Sequence, residues 1–157
     1  MADPTTGPTA APTEAVRLTR VLHASPQLVF DAWTTPEMMA EWFARDPHTP
    51  PGRIVRADAR PGGRYLVEVT GPENGQIYRM QGTYREVRPP TRLAFTWWYE
   101  GADFAESLVT IDLRALDDGR TEMTLTHSLL PPRQAAEHRE GWLGCFEMLE
   151  RTLAGRS

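Results

Sequence analysis

The sequence predicts a small α+β domain in which a curved antiparallel sheet wraps around a long C-terminal helix. Between residues 53 and 130 the chain alternates apolar and polar side chains in short segments separated by turn signals, as strands do. After Pro131-Pro132 apolar residues recur at gaps of three and four up to Leu153, which is typical of one amphipathic helix of about six turns. A chain of 157 residues with 40% hydrophobic side chains is long enough to form one domain with its own core.

The N-terminal part of the chain predicts a tail, one strand and two short helices. Residues 1–14 have prolines at positions 4, 8 and 12 and no run of large apolar side chains, so we expect a disordered tail followed by one domain over residues 15–154. Residues 16–22 alternate as a half-buried strand does. Helix starts are indicated at Ser25-Pro26 and Thr35-Pro36, because proline is favoured in the first turn of a helix.

Residues 53–130 predict an antiparallel meander. Its strands are separated by turn residues, among them Pro61-Gly62-Gly63, Asn74-Gly75 and Asp117-Asp118-Gly119. With the first strand this makes about six to seven strands. Each strand offers one apolar side, so one face of the sheet has to be covered. The C-terminal helix is the predicted element long enough to cover it.

Composition excludes several classes of function. The formal charge is -4, and the basic residues are scattered, so we expect no nucleic-acid partner. A lone cysteine, Cys145, forms no disulfide within the chain and no cysteine-rich zinc site; we expect no metal and no cofactor. No apolar run approaches the length of a membrane span and no secretory signal is recognisable, which predicts a cytoplasmic protein.

Large side chains at inward positions either fill the space between sheet and helix or line a pocket there, and the sequence leaves both alternatives open. Such pockets are mostly hydrophobic with a few polar groups. The residues that we predict to line a ligand cavity are Trp42, Phe43, Tyr65, Val67, Met80, Phe95, Trp97, Tyr99, Val109, Ile111, His127, Trp142 and Phe146.

Two further features have a functional and a structural interpretation. His127 shares the inward face of its strand with Met123 and Leu125, so it either orients a ligand or acts as a general base, or it is a core histidine satisfied by hydrogen bonds. The adjacent residues Trp97 and Trp98 must face opposite sides of the sheet. An outward Trp98 would mark an apolar patch, which raises the hypothesis of a homodimer.

Several segments of the chain follow one another in a recognisable order and spacing. They are Val29-Phe30-Asp31-Ala32-Trp33-Thr34-Thr35-Pro36-Glu37, Trp42-Phe43, Pro61-Gly62-Gly63-Arg64-Tyr65, Gly82-Thr83-Tyr84-Arg85-Glu86-Val87, Pro89-Pro90-Thr91-Arg92-Leu93, Ser107-Leu108-Val109-Thr110-Ile111, Thr124-Leu125-Thr126-His127 and Gly141-Trp142. With these segments the chain resembles the domains related to the activator of heat-shock protein 90 ATPase, within the START-like (SRPBCC) or birch-pollen-allergen superfamily. The resemblance covers roughly residues 15–154 and implies a helix-grip fold with a cavity between the sheet and the long helix. Superfamily relatives bind lipids or plant hormones, or act as polyketide cyclases and aromatases.

These observations favour a ligand-binding protein over an enzyme. The leading hypothesis is that the internal cavity holds a small hydrophobic or aromatic molecule. The first alternative is an enzyme of the polyketide cyclase/aromatase or hydrolase type, with His127 as the general base and a tyrosine or Glu106 as its partner. The second alternative, regulation of a chaperone ATPase, is implied only by the resemblance.

Overall fold

The computed structural model describes residues 12–45, 47–71 and 75–156. The predicted tail lies largely outside the described residues, and the first strand begins at Glu14. The elements in chain order are β1 (Glu14–Leu22), α1 (Pro26–Thr34), α2 (Pro36–Trp42), β2 (Arg53–Ala57), β3 (Arg64–Thr70), β4 (Ile77–Arg88), β5 (Arg92–Tyr99), β6 (Ser107–Ala115), β7 (Thr121–Leu130) and α3 (Pro132–Ala154).

All strands of the described chain form one curved antiparallel sheet in the order β1-β7-β6-β5-β4-β3-β2. Strands β2 to β7 follow each other as the predicted meander, because tight turns connect neighbouring antiparallel strands. The last strand, β7, also pairs with the first strand, β1, and Leu18 lies opposite Leu125. The predicted number of strands and their arrangement are confirmed.

The helix α3 lies against the concave side of the sheet and closes the core. Trp142, Phe146 and Leu149, at helical spacing, are buried, whereas Glu140 and Glu147 are exposed. Two ion pairs join the C-terminal half of α3 and the residues just after it to other elements. Arg20 of β1 contacts Glu150 at 3.1 Å, and Arg156, just beyond the helix, contacts Glu41 of α2 at 2.6 Å.

The two short helices supply aromatic side chains that fill the space between α3 and the sheet. Ser25 caps α1 by accepting a hydrogen bond from the Leu28 backbone N–H, as its position before Pro26 predicts. The indoles of Trp33 and Trp42 meet edge to face, with ring centroids 4.5 Å apart. Much of the predicted cavity is therefore packed with protein side chains.

Strands β4 and β5 approach each other closely at Gly82. A Cβ atom at this position would overlap with the carbonyl oxygen of Thr96 and with the ring of Tyr65. That ring lies over the glycine, and its hydroxyl donates a hydrogen bond to the same carbonyl oxygen at 2.6 Å. The absence of a side chain at Gly82 thus allows Tyr65 to fill the inner surface of the sheet.

Candidate ligand-binding site

A pocket of about 340 Å³ remains at one end of the space between α3 and strands β3 to β5. This volume lies near the lower end of the range for small-molecule sites, about 300–1,000 Å³. Exposed residues of α3, Glu137 and Gly141, lie on its border, so the pocket opens to solvent. Its lining consists of Ala44, Arg45, Thr49, Val69, Thr70, Gly71, Tyr78, Met80, Trp97, Tyr99, Gln134, Glu137, His138, Gly141, Trp142 and Cys145.

Two tryptophans form the inner wall of this pocket. The rings of Trp97 on β5 and Trp142 on α3 lie 5.1 Å apart, and both residues are buried. Met80 and Tyr99 oppose each other across strands β4 and β5 and are half-buried at the outer part of the lining. The wall is thus aromatic and apolar in its depth and mixed at its opening, as in small-molecule sites generally.

The structure brings four of the residues predicted from the sequence to this pocket: Met80, Trp97, Tyr99 and Trp142. The others lie in the packed interior and do not border it, so a ligand contact of theirs stays a prediction. They are Trp42, Phe43, Tyr65, Val67, Phe95, Val109, Ile111, His127 and Phe146.

Other lining residues were not in the predicted set, although the helical spacing of His138 had already placed it on the inward side of α3. On α3, Gln134, His138 and Cys145 lie on the same side of the helix as Trp142, so their spacing of three and four residues is a signal that could have identified them. The segment after α2 had no such signal. There Ala44 has a positive φ of 55°, an unusual conformation for a residue other than glycine, and it leads directly into Arg45.

His127 is fully buried behind the pocket wall, and hydrogen bonds engage both of its ring nitrogens. Trp142 Nε1 donates to His127 Nδ1 at 2.9 Å, so Nδ1 carries the lone pair, because an indole nitrogen only donates. The proton of the neutral ring is therefore on Nε2, which lies 2.7 Å from Ser107 Oγ. Ser107 Oγ in turn donates to the carbonyl oxygen of Trp97 at 3.1 Å.

Burial keeps the imidazole neutral, and the hydrogen-bond chain accommodates it in that form. Burial of the ring and, to a lesser degree, the nearby His138 ring 5.1 Å away lower the pKa of His127 from its ordinary 6.5 to about 3. A second proton on Nδ1 would also face the indole N–H of Trp142. His127 is thus a core histidine satisfied by hydrogen bonds, the structural interpretation that the sequence left open.

Among the described residues, no hydrogen bond joins His127 to Glu106 or to a tyrosine, as the enzymatic alternative would require. Glu106 accepts a hydrogen bond from Thr96 Oγ1 at 3.0 Å and borders depressions lined by Arg64, Gln81, Leu108 and Thr110. Those residues face away from the core that encloses His127. The lone pair of His127 Nδ1 is occupied, so the ring has no free base to offer.

Hydrogen-bond donors of two pocket residues have no acceptor in the described part of the chain. The two terminal nitrogens of Arg45 donate to the carbonyl oxygens of Glu41 and Thr49, at 2.8 and 2.7 Å, but its buried Nε has no partner. The indole nitrogen of Trp97 is likewise buried without an acceptor.

Trp98 lies on the outer face of the sheet, as its alternation with Trp97 predicts, and it is half-buried. The large apolar side chains that are most exposed lie elsewhere, at Val21, Val55, Ile77 and Leu129. The homodimer stays a hypothesis. Among the described residues, no group of three or more His, Cys, Asp or Glu side chains is placed to hold a metal ion.

The curved sheet, the enclosed helix and the pocket between them define a helix-grip protein of the START (SRPBCC) type, a class that generally binds ligands. The chain belongs to the family described as "Activator of Hsp90 ATPase homolog 1-like protein", whose model matches residues 23–154. The resemblance inferred from the sequence is thereby confirmed. No curated protein matches the chain.

Solved structures of bacterial proteins have the same fold. Protein CV1439 from Chromobacterium violaceum is 26% identical, with a TM-score of 0.80 over 88% of this chain and 96% of that chain. Protein NE0264 from Nitrosomonas europaea is 28% identical, with a TM-score of 0.73 over 91% and 96%. A protein from Arthrobacter aurescens, at 19% identity, shares the fold with a TM-score of 0.80 over 91% and 87%.

In the part of the chain that the structure describes, no helix has both the length and the apolar character required to cross a bilayer.

Proposed function

We propose that this protein binds a small hydrophobic or aromatic molecule in the pocket between α3 and strands β3 to β5. The observation that carries the proposal is the apolar inner wall, where Trp97 and Trp142 border a space of about 340 Å³. Aromatic rings at such a wall offer a large apolar contact area and stack on flat ligands.

The surroundings of the wall support the binding proposal. Trp142 is held by its hydrogen bond to His127, and the carbonyl of Trp97 is held by Ser107. The two indoles are therefore placed before a ligand arrives, and pre-organisation of this kind reduces the entropic cost of binding.

A neutral apolar dye tests the proposal. N-phenyl-1-naphthylamine should gain fluorescence on titration with the protein, in a saturable manner. Gly141→Leu should abolish this gain, because Gly141 borders the pocket and a Cβ atom added there meets open space. The larger side chain then occupies the volume of the dye without disturbing the core, and leucine favours the helix more than glycine does.

The matched control is Ala136→Leu, which adds a similar side chain to an exposed position of α3 that does not line the pocket. This variant should bind the dye as the wild type does. An equal dye response in Gly141→Leu and the wild type, or no saturable binding by the wild type, would contradict the proposal.

A further inference from the structure

We propose that the ligand of this pocket is a carboxylic acid, with an apolar, largely aromatic body against the tryptophan wall and a carboxylate that accepts hydrogen bonds from Arg45 Nε and Trp97 Nε1. This inference rests on the proposed function, because it specifies the chemistry of the molecule bound at the same site. The inference is carried by two buried N–H donors that lack an acceptor in the part of the chain that the structure describes.

The guanidinium group of Arg45 is fixed at the pocket with its charge uncompensated by the described residues. Its terminal nitrogens donate to the main-chain carbonyls of Glu41 and Thr49, which hold it in place but carry no negative charge. None of the ion pairs between described residues includes Arg45. Its Nε is buried and unpaired. Arginine matches the geometry of a carboxylate, and such charge-assisted hydrogen bonds are stronger than neutral ones.

Trp97 also has a side-chain N–H without a partner, and in this it differs from the other buried tryptophans of the described residues. Trp33 donates its indole N–H to Met123 Sδ, Trp42 to the Ala32 carbonyl oxygen and Trp142 to His127 Nδ1. The indole N–H of Trp97 has no acceptor among the described residues, although Trp97 is only 5% exposed and borders the pocket. Buried donors in native proteins almost always have a partner, so an orphan at a pocket indicates an acceptor that the ligand brings.

The two donors belong to residues of one pocket, which is why a single ligand is assigned to both. Arg45 and Trp97 border the same pocket, and its volume of about 340 Å³ is filled by a single ligand of modest size. Both nitrogens are shielded from water, so a neighbouring side chain has to shift before the carboxylate of the ligand can reach them. Met80, half-buried at the same pocket, is unbranched and adaptable enough to move.

Two local features fit a site for an anion's head group near Arg45. The preceding residue, Ala44, is held in a left-handed conformation at φ 55°, and strained backbone of this kind occurs preferentially at ligand sites. The acidic residue of the lining, Glu137, is exposed at the rim, where solvent and salt screen its charge. A carboxylate placed at Arg45 is therefore favoured over one placed at the rim.

Matched ligands with one aromatic body and three head groups test the inference. The first series is 2-naphthoate, 2-methylnaphthalene and 2-naphthylmethylammonium; the second is the corresponding set on biphenyl. Each compound competes with bound N-phenyl-1-naphthylamine. We expect the carboxylates to bind at least tenfold more tightly than the methyl and ammonium compounds of the same series.

Variants assign the preference to the two donors. Arg45→Met keeps an aliphatic stem and should cost the carboxylates at least tenfold in affinity, while the affinity of the methyl compounds changes less than twofold. Trp97→Phe keeps an aromatic ring and should cost the carboxylates threefold or more, again with the methyl compounds as the internal measure of an intact pocket. Arg53→Met removes an exposed arginine that does not line the pocket and should change neither affinity.

The outcomes separate the two proposals. If the wild type does not bind the dye, the proposed function itself fails. If the dye binds but no carboxylate displaces it better than its methyl analogue, or Arg45→Met leaves the carboxylate preference intact, the carboxylic-acid inference is overturned and the proposed apolar site stands.

Discussion

The imidazole of His127 shows how the environment of a single side chain decides its role. From the sequence alone, a histidine that faces an apolar space can be interpreted as a general base. In the structure its ring is fully buried, accepts from Trp142 Nε1 and donates from Nε2 towards Ser107 Oγ. The residue therefore joins α3, β7 and β6, and its chemistry is that of a neutral hydrogen-bonding bridge.

The pH dependence of stability should reveal this bridge. The pKa of His127 is about 3 in the folded chain and has its ordinary value of 6.5 in the unfolded chain, so between these pH values the unfolded chain binds the additional proton. The stabilisation by neutral His127 is complete above pH 6.5 and decreases as the pH falls towards 3. From pH 7.5 to pH 5 this group should cost the wild type about 2 kcal/mol of unfolding free energy.

The measurement is urea denaturation of the wild type and His127→Gln at both pH values, since glutamine keeps a donor and an acceptor but does not titrate. Carboxylates titrate alike in both proteins, so the difference between them isolates His127. Stability curves that stay parallel between pH 7.5 and pH 5 would show that the imidazole does not behave as described.

At the level of elements, the close contact between β4 and β5 at Gly82 makes room for an aromatic ring on the inner face of the sheet. Gly82 allows the Tyr65 ring to lie over the backbone and reach the Thr96 carbonyl oxygen. Thr96 Oγ1 also accepts from the Thr83 N–H at 2.8 Å and donates to Glu106. The two faces of the sheet are thus linked at one residue of β5.

Gly82→Ala should destabilise the protein by about 2–4 kcal/mol, because the added methyl group overlaps with backbone that cannot move independently of the sheet. Gly141→Ala is the matched control: its Cβ meets open space on α3, and alanine should stabilise the helix by about 0.5–1 kcal/mol. Thermal and urea unfolding of both variants provide the comparison. A Gly82→Ala protein as stable as the wild type would refute the close approach.

The elements themselves were accessible from sequence because their signals are local. Alternation located the strands, Ser25-Pro26 marked the start of α1, and the change of period after Pro131-Pro132 marked α3. Alternation also assigned Val109 and Ile111 to the inner face correctly. Alternation does not show how far along the sheet a residue lies from the open end. It therefore could not predict that Val109 and Ile111 lie in the packed interior whereas Trp97 lies at the pocket.

At the scale of the whole molecule, Trp142 is a side chain that contacts both the sheet and the helices. Its ring lies within about 5–6.3 Å of Trp33, Phe43, Trp97, His127 and Phe146, measured between centroids. These partners come from α1, the end of α2, β5, β7 and α3. Trp142 therefore belongs both to the candidate site and to the core. Its contacts join elements that are distant in sequence, so the periodicity of the sequence could not predict them.

Trp142→Ala should lower the unfolding free energy by about 3–5 kcal/mol, since it leaves a cavity and removes the donor to His127 Nδ1. Leu143→Ala, at the neighbouring, half-buried position of the same helix, should cost about 1 kcal/mol. Urea denaturation followed by far-UV circular dichroism measures both. Equal losses in the two variants would contradict the central position of Trp142.

The hydrogen-bond chain from Trp142 through His127 and Ser107 to the Trp97 carbonyl has an evolutionary consequence. It secures the deep wall from behind, whereas Met80, Tyr78 and Glu137 at the opening are not part of that chain. For the proposed function, replacements at the opening should therefore alter which molecule binds while the scaffold continues to fold. The bacterial proteins at 26% and 28% identity share this architecture over nearly their whole length.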